Sequence, residues 1–400
     1  MPPWSDILPP RPRRSLLVAW ALLAALNLSA GLVIASWPER QTDLETIGRW
    51  GRQWLAGINV YATGEMPAPD YPPHAVVALS PLGILSHEWA VRVWTILNLG
   101  LALAAPYLAV RVVRPAAARF TIALPILMFL CWGGFRTLLQ FSLAALVFGL
   151  LAMKLADRRP VWSGVCLGLA LMKPQMAAPF LLWAIFTKRL RVATLGLFVV
   201  LAGFALFCLR VGAQPIDILE PYARILGTYY VTDENPMMVG LAQLRPLIAL
   251  AIPGATLVNV VALAIAAGLL IGICILGFSE GTRRDAVMIS APPLVGVWSL
   301  LTFYHLTYGF VVLMTTATLL ICSDDPGTRA FRRTVFWSMQ LALMIDVPGT
   351  WNHFAHLLVS DKTAQAWPWP AHVDRVLAAA LLGCLVVLAI RRRPAAIRPT

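Results

Sequence analysis

Charge is scarce in this chain. Asp, Glu, Lys and Arg make up 13% of its 400 residues against 59% apolar ones, where an ordinary soluble domain is about a quarter charged. With a mean hydropathy of +0.74, water is excluded as the main solvent. Acids are the scarcer sign, 19 against 32 Lys and Arg, for a net charge of +13. The basic excess is not gathered into a patch interleaved with exposed aromatics, so nucleic acid is not the partner it implies. The six cysteines, Cys131, Cys166, Cys208, Cys274, Cys322 and Cys384, lie inside apolar runs without CxxC spacing. That argues against a disulfide framework or a zinc site. GxxxxGK[ST], GxSxG and HExxH are missing, which leaves ATP-driven transport, α/β-hydrolase and zincin chemistry unsupported.

What the chain does have is apolar runs of membrane length. About 30 Å of hydrocarbon requires about 20 residues whose backbone hydrogen bonds are made internally, as in a helix. Runs bounded by charge or by Pro and Gly place membrane helices near 15–36, 89–112, 120–135, 138–155, 192–210, 255–278, 286–303, 306–322, 334–347 and 372–390. Two shorter runs between 161 and 187 meet at Lys173-Pro174. With basic clusters at both outer ends, they predict a hairpin that enters and leaves on one side. The whole reads as an all-α polytopic protein of about twelve passes, a single integral membrane domain over residues 1–400. Arg11, Arg13 and Arg14 precede the first run. That run is longer than a signal-peptide core and reads as a retained helix, cleavage near Ala35 being the alternative.

Lys and Arg cluster at alternate ends of these runs, near 11–14, 111–119, 154–159, 188–191, 283–284, 329–333 and 391–398, where 21 of the 32 lie. By the positive-inside rule that side is cytoplasmic. The outer segments are then 37–88, 211–254 and 348–371. They hold 11 of the 19 acids, 13 with Asp346 and Asp374 just beyond the bounds of the third, and all six histidines fall outside or at the outer edge.

The first outer segment is too long to be a mere connector. It carries Thr42-Asp43-Leu44-Glu45, Gly57-Ile58-Asn59-Val60-Tyr61 and Tyr71-Pro72-Pro73-His74. A carboxylate held there between apolar helices can be desolvated enough to act as a general base, and a solvated loop acid is the plainer alternative. His74 to Leu85 is too short to span and predicts an interfacial or re-entrant helix. Arg136, Lys173, Arg245 and His305 stand at helix junctions. A charge at the bilayer centre costs about 2.5–3.5 kcal/mol, so each cation is either a phosphate ligand or a snorkelling helix end. Gly164/Gly168 and Gly268/Gly272 have the spacing of close helix packing. His353 and His356 make only a weak metal signal without a carboxylate beside them, and Trp367-Pro368-Trp369-Pro370 reads as an interfacial aromatic belt.

Taken in order, these motifs resemble the membrane glycosyltransferases of family 87. That pattern runs from an Asp after the first helix, through Gly-x-x-x-Tyr (Gly57 to Tyr61), to Tyr-Pro-Pro (Tyr71 to Pro73) and a short apolar helix ending at Pro81. A mid-chain Gln (Gln140), Lys173-Pro174 at a hairpin tip and a late Tyr304-His305 follow. Two departures stand out. Leu139-Gln140-Phe141-Ser142 replaces the family's Gly-Gln-x-Asn, and Trp298-Ser299 lacks the usual proline.

The resemblance implies a GT-C-like fold and an inverting transfer of a hexose from a polyprenyl-phosphate carrier to a lipid-linked or glycan acceptor. Its best-known relatives, mycobacterial α-mannosyltransferases, point to mannose. It also implies a bacterial cytoplasmic membrane with the reaction on the outer face, membrane lipids as partners, and neither cofactor nor metal. Asp43 takes the role of general base, with His305 as the rival catalytic residue. Glu45, Tyr61, Tyr71, His74, Arg136, Gln140, Lys173, Arg245 and Tyr304 become substrate-binding candidates. A transporter or lipid flippase and a structural subunit of an envelope-assembly complex are the competing classes. A transporter is expected to show internal repeats and opposite charges meeting at mid-membrane; this chain shows no repeat and gathers its acids at the outer surface instead.

Overall fold

In the computed structural model the described residues are 14–35, 42–65, 69–113, 123–124, 126–127, 141–231, 244–249, 251–279, 284–302, 311–322, 328–345 and 380. Among them every regular element is a helix. In chain order these are α1 (Arg14–Ala35), α2 (Thr42–Leu55), α3 (Pro73–Leu79), α4 (Pro81–Ile84), α5 (His87–Val113), α6 (Ser142–Leu155), α7 (Pro160–Ala170), α8 (Pro174–Phe186), α9 (Leu190–Val211), α10 (Pro215–Val231), α11 (Arg245–Ala249), α12 (Ala255–Ser279), α13 (Arg284–Thr302), α14 (Leu313–Cys322) and α15 (Arg329–Ile345).

Three described stretches are long and apolar enough to cross a membrane: His87–Val113, Leu190–Val211 and Thr256–Ile275. Several shorter apolar helices pack among them. Along α9, Leu197, Phe198, Leu201, Leu206 and Leu209 are exposed large apolar side chains, as suits a helix solvated by lipid. Its other side buries Val192, Ala193 and Gly196. There α7 comes close, because a Cβ on Gly164 or Gly168 would fall 2.4 Å from Leu195 Cβ or 2.5 Å from Val199 Cβ. Close packing at Gly164/Gly168 is therefore met. At Gly268 and Gly272, by contrast, no described atom lies within 4 Å.

The hairpin is present as α7 and α8, of 11 and 13 residues. At 1.5 Å per residue these arms reach only about 16–20 Å, well short of the about 33 Å of α9. Their inner ends are anchored by Arg189, buried at the start of α9, whose guanidinium donates to both oxygens of Asp157 at 2.9 Å and lies 5.0 Å from the Trp183 ring centre. The tip at Lys173 therefore falls well short of the length of α9.

The space beyond that tip is filled by the first outer segment. Its apolar stretch folds as two short helices rather than one. Pro81 begins the second, and a proline ring displaces the carbonyl four residues back while offering no N–H. Ser80 turns the corner instead, its hydroxyl donating to Val77 O at 2.8 Å. α4 then lies backbone to backbone on α2, with the Cβ position of Gly83 2.8 Å from both Arg52 N and Gly48 O. Two other expectations shift in extent. The outer segment 211–254 contains α10 and α11, and α15 begins at Arg329, so the basic cluster 329–333 forms its first turn.

Candidate functional site

Helical register divides the acids at the start of α2. Asp43 stands one turn before Ile47, two before Trp50 and three before Trp54, and those later members are buried. Glu45 lies on the register of Arg49 and Arg52 and is exposed. Side chains three or four apart share a face of a helix, so positions 43 and 45 look in different directions.

The buried face of α2 rests on a layer of aromatic rings. Trp50 lies 6.3 Å from Tyr71, Tyr71 5.8 Å from Phe141, and Phe141 4.2 Å from Trp94, between ring centres. Tyr61 packs on Phe207 and Tyr222 and donates its hydroxyl to Tyr71 O at 2.7 Å. Burial, with Tyr222 and Asp70 nearby, holds that hydroxyl's pKa well above 10, so it remains a donor. Tyr61 and Tyr71 are thereby tied together over the cluster.

Lys173 enters this layer from below. It is buried at the hairpin tip, with Nζ donating to Ser142 Oγ at 2.8 Å and 5.8 Å from the Tyr71 ring centre. Both of these partners are uncharged. His74 is buried on α3 against α9, with Nε2 lacking any hydrogen-bond partner. Burial pushes its pKa down to about 4, opposed by a hydrogen bond to the Leu171 backbone. At pH 7 it is a neutral imidazole.

Depth along the helices puts these groups at one level. Ser142 is thirteen residues from the inner end of α6, Lys173 thirteen from that of α8, and the His74 contact at Gly203 thirteen from that of α9. Each distance is about 20 Å of rise. α3 thus meets α9 short of the Val211 end of that helix rather than at it.

Arg245 is half-buried on the far flank, at the start of α11. Leu244 N donates to Leu301 O at 2.9 Å, and Ser299 donates to the carbonyl of Gln175, two residues past Lys173. The end of α13 thus links the hairpin tip to Arg245. Of the expected site residues, Tyr61, Tyr71, His74 and Lys173 are brought together, Glu45 is exposed, and Arg245 is joined to them only through the end of α13. Arg136, Gln140, Tyr304 and His305 lie outside the described residues, as do His353, His356 and Trp367 to Pro370. The sequence reading missed Trp50, Trp94, Asn98, Ser142 and Gly203. Asn98 had a visible signal, a polar residue in the middle of an apolar run.

Comparison with known proteins gives one match. The profile of glycosyltransferase family 87 matches residues 70–302, more than half of the chain, from just before Tyr71 through Lys173 and Arg245. No curated protein and no solved structure matches. Asp43 precedes the matched segment. The lipid-facing helices and this match together lead to one conclusion: the chain belongs to glycosyltransferase family 87 and is a membrane-integral glycosyltransferase.

Proposed function

We propose that the enzyme transfers a hexose, mannose in the first instance, from a polyprenyl-phosphate carrier to a lipid-linked or glycan acceptor. The reaction is assigned to the outer face of a bacterial cytoplasmic membrane. The observation that carries this reading is Lys173, a cation buried in an aromatic layer about 20 Å from the inner helix ends. A nucleotide sugar is too polar to seek that depth, whereas an isoprenoid stays in the hydrocarbon and presents its phosphate just there.

In this mechanism Asp43 takes the proton from an acceptor hydroxyl as its oxygen attacks the anomeric carbon. The bond from that carbon to the phosphate oxygen breaks, its electron pair leaves with polyprenyl phosphate, and the configuration inverts. Lys173 offsets the charge accumulating on the leaving phosphate. Arg136, Arg245 and His305 are further phosphate ligands, and Tyr61, Tyr71, His74, Gln140 and Tyr304 shape the substrate pocket. Glu45 is left with a peripheral role. Twelve passes with both termini cytoplasmic complete the reading.

The test is to incubate purified enzyme in lipid nanodiscs with several polyprenyl-phosphate hexoses, and separately with GDP- and UDP-hexoses. Transfer is expected from a carrier-lipid donor. Efficient transfer from a nucleotide sugar, with no carrier lipid present, overturns the donor assignment.

A further inference from the structure

Two buried polar atoms on α5 have no use in the fold. Trp94 Nε1 and Asn98 Oδ1 lack any hydrogen-bond partner, although Trp94 is 5% and Asn98 0% exposed. They are one turn apart on the same face of the helix, so they are neighbours. The orientation of the Asn98 amide is fixed by chemistry. Its Nδ2 donates to Trp94 O at 3.2 Å, and only the amide nitrogen can donate to a carbonyl. What remains is a donor, the indole N–H, beside an acceptor, the amide oxygen.

Such a pair selects its ligand. A phosphate oxygen accepts and cannot satisfy Asn98 Oδ1, and an isoprenoid chain satisfies neither atom. A hydroxyl both accepts and donates, so one hydroxyl or two adjacent ones complete both groups. The surroundings suit a sugar ring. Trp94 lies on Phe141, which meets Tyr71, which meets Lys173, and these rings give apolar faces to the C–H bonds of a pyranose. Asn98 is also fifteen residues from the inner end of α5, about 22 Å, the level of Lys173. Phe141, which carries the Trp94 ring, precedes Ser142, the residue to which Lys173 donates, so a sugar joined to a phosphate at Lys173 would lie on the Trp94 side of this layer.

We infer that Trp94 and Asn98 form a subsite that reads hydroxyl groups of the transferred sugar, resting on the carrier-phosphate donor proposed above. Trp94 donates to one sugar oxygen and Asn98 accepts from a sugar hydroxyl. Together they set which hexose is transferred.

The full chain in nanodiscs is assayed with a polyprenyl-phosphate hexose and with its 2-, 3-, 4- and 6-deoxy analogues. Trp94→Phe keeps the ring and removes the donor. Asn98→Leu keeps the approximate volume and removes the acceptor, and since it deletes an unsatisfied group its Tm is expected to hold. Unaltered enzyme should lose about tenfold or more in kcat/KM on at least one deoxy donor, as sites built to bond a hydroxyl do. A variant should lose a similar factor on the parent sugar and nothing further on that deoxy donor. Should Asn98→Leu not accumulate, the Trp94→Phe series alone decides. Equal losses on every donor overturn the subsite, as does a match that emerges only with deoxy acceptors. Absence of transfer by unaltered enzyme from every carrier-lipid hexose overturns the donor reading, and the subsite with it.

Discussion

Gly203 and His74 set how deeply the first outer segment sits. A Cβ on Gly203 would lie 2.6 Å from His74 Cβ and 3.2 Å from its Cα, closer than any side chain permits, so α3 rests directly on the backbone of α9. Gly203→Ala must therefore displace α3. Overpacking of this kind costs about 1–3 kcal/mol. Thermal unfolding in nanodiscs should show the lowered stability. Transfer should fall further than stability explains, because Tyr71 moves with α3. A Gly203→Ala enzyme with unchanged Tm and rate would mean that α3 is not held this way.

His74 makes stability depend on pH in a definite direction. Its pKa is about 4 in the folded protein against 6.5 when free, so the unfolded chain binds a proton over a range where the folded chain does not. The contribution is fully present above pH 6.5, falls as pH drops from 6.5 towards 4, and amounts to at most about 3 kcal/mol. Unfolding measured across that window should therefore show a smaller decline in His74→Leu than in unaltered protein. Parallel declines would assign the acid sensitivity to other groups.

Much of this arrangement was legible in the sequence, and the reason is physical. Lys173-Pro174 between two short apolar runs flanked by basic clusters could only be a hairpin tip, since neither run spans alone. Tyr61 and Tyr71 were visible as motif residues. Their mutual bond was not, because it joins a hydroxyl to a backbone carbonyl ten positions away. Trp94 and Ser142 were hidden for another reason. In a run apolar on every side, hydropathy cannot tell a lipid-facing residue from one facing a site, and only packing separates exposed Trp89 from buried Trp94. The break at Pro81 is readable from proline chemistry, as is the short apolar helix that ends there, whereas the second short helix, Pro81–Ile84, is too brief to give a pattern of its own.

Lys173 tests the phosphate site. Lys173→Met keeps the length of the side chain and removes the charge, and replacing a buried charge by an apolar group is often neutral for stability. The folded fraction should therefore hold while transfer drops by about 100-fold or more, in the range of lost oxyanion stabilisation. Lys173→Arg should restore only part of the rate, since a planar guanidinium does not reproduce a compact ammonium. A wild-type rate in Lys173→Met would move the phosphate to Arg136, Arg245 or His305.

Asp43 is the residue on which the proposed mechanism turns. Its register is that of Ile47, Trp50 and Trp54, the buried side of α2, and Trp50 reaches Tyr71, whose ring neighbours Lys173. Glu45 belongs to the exposed register of Arg49 and Arg52. Position 43 thus shares the register of the residues of α2 that meet the aromatic layer, and exposed Glu45 does not. General-base assistance is worth about 10²- to 10⁴-fold. Asp43→Asn, which keeps the shape and removes the basicity, should lose that factor in single-turnover transfer while still binding donor. Glu45→Gln should stay within about threefold of the unaltered rate, as most exposed substitutions have small effects. His305→Ala is the informative comparison, because a phosphate ligand weakens donor binding whereas a base leaves binding intact and slows the chemical step. An Asp43→Asn enzyme keeping more than about a tenth of the rate lies outside the range for a lost base, and the role would then pass to His305.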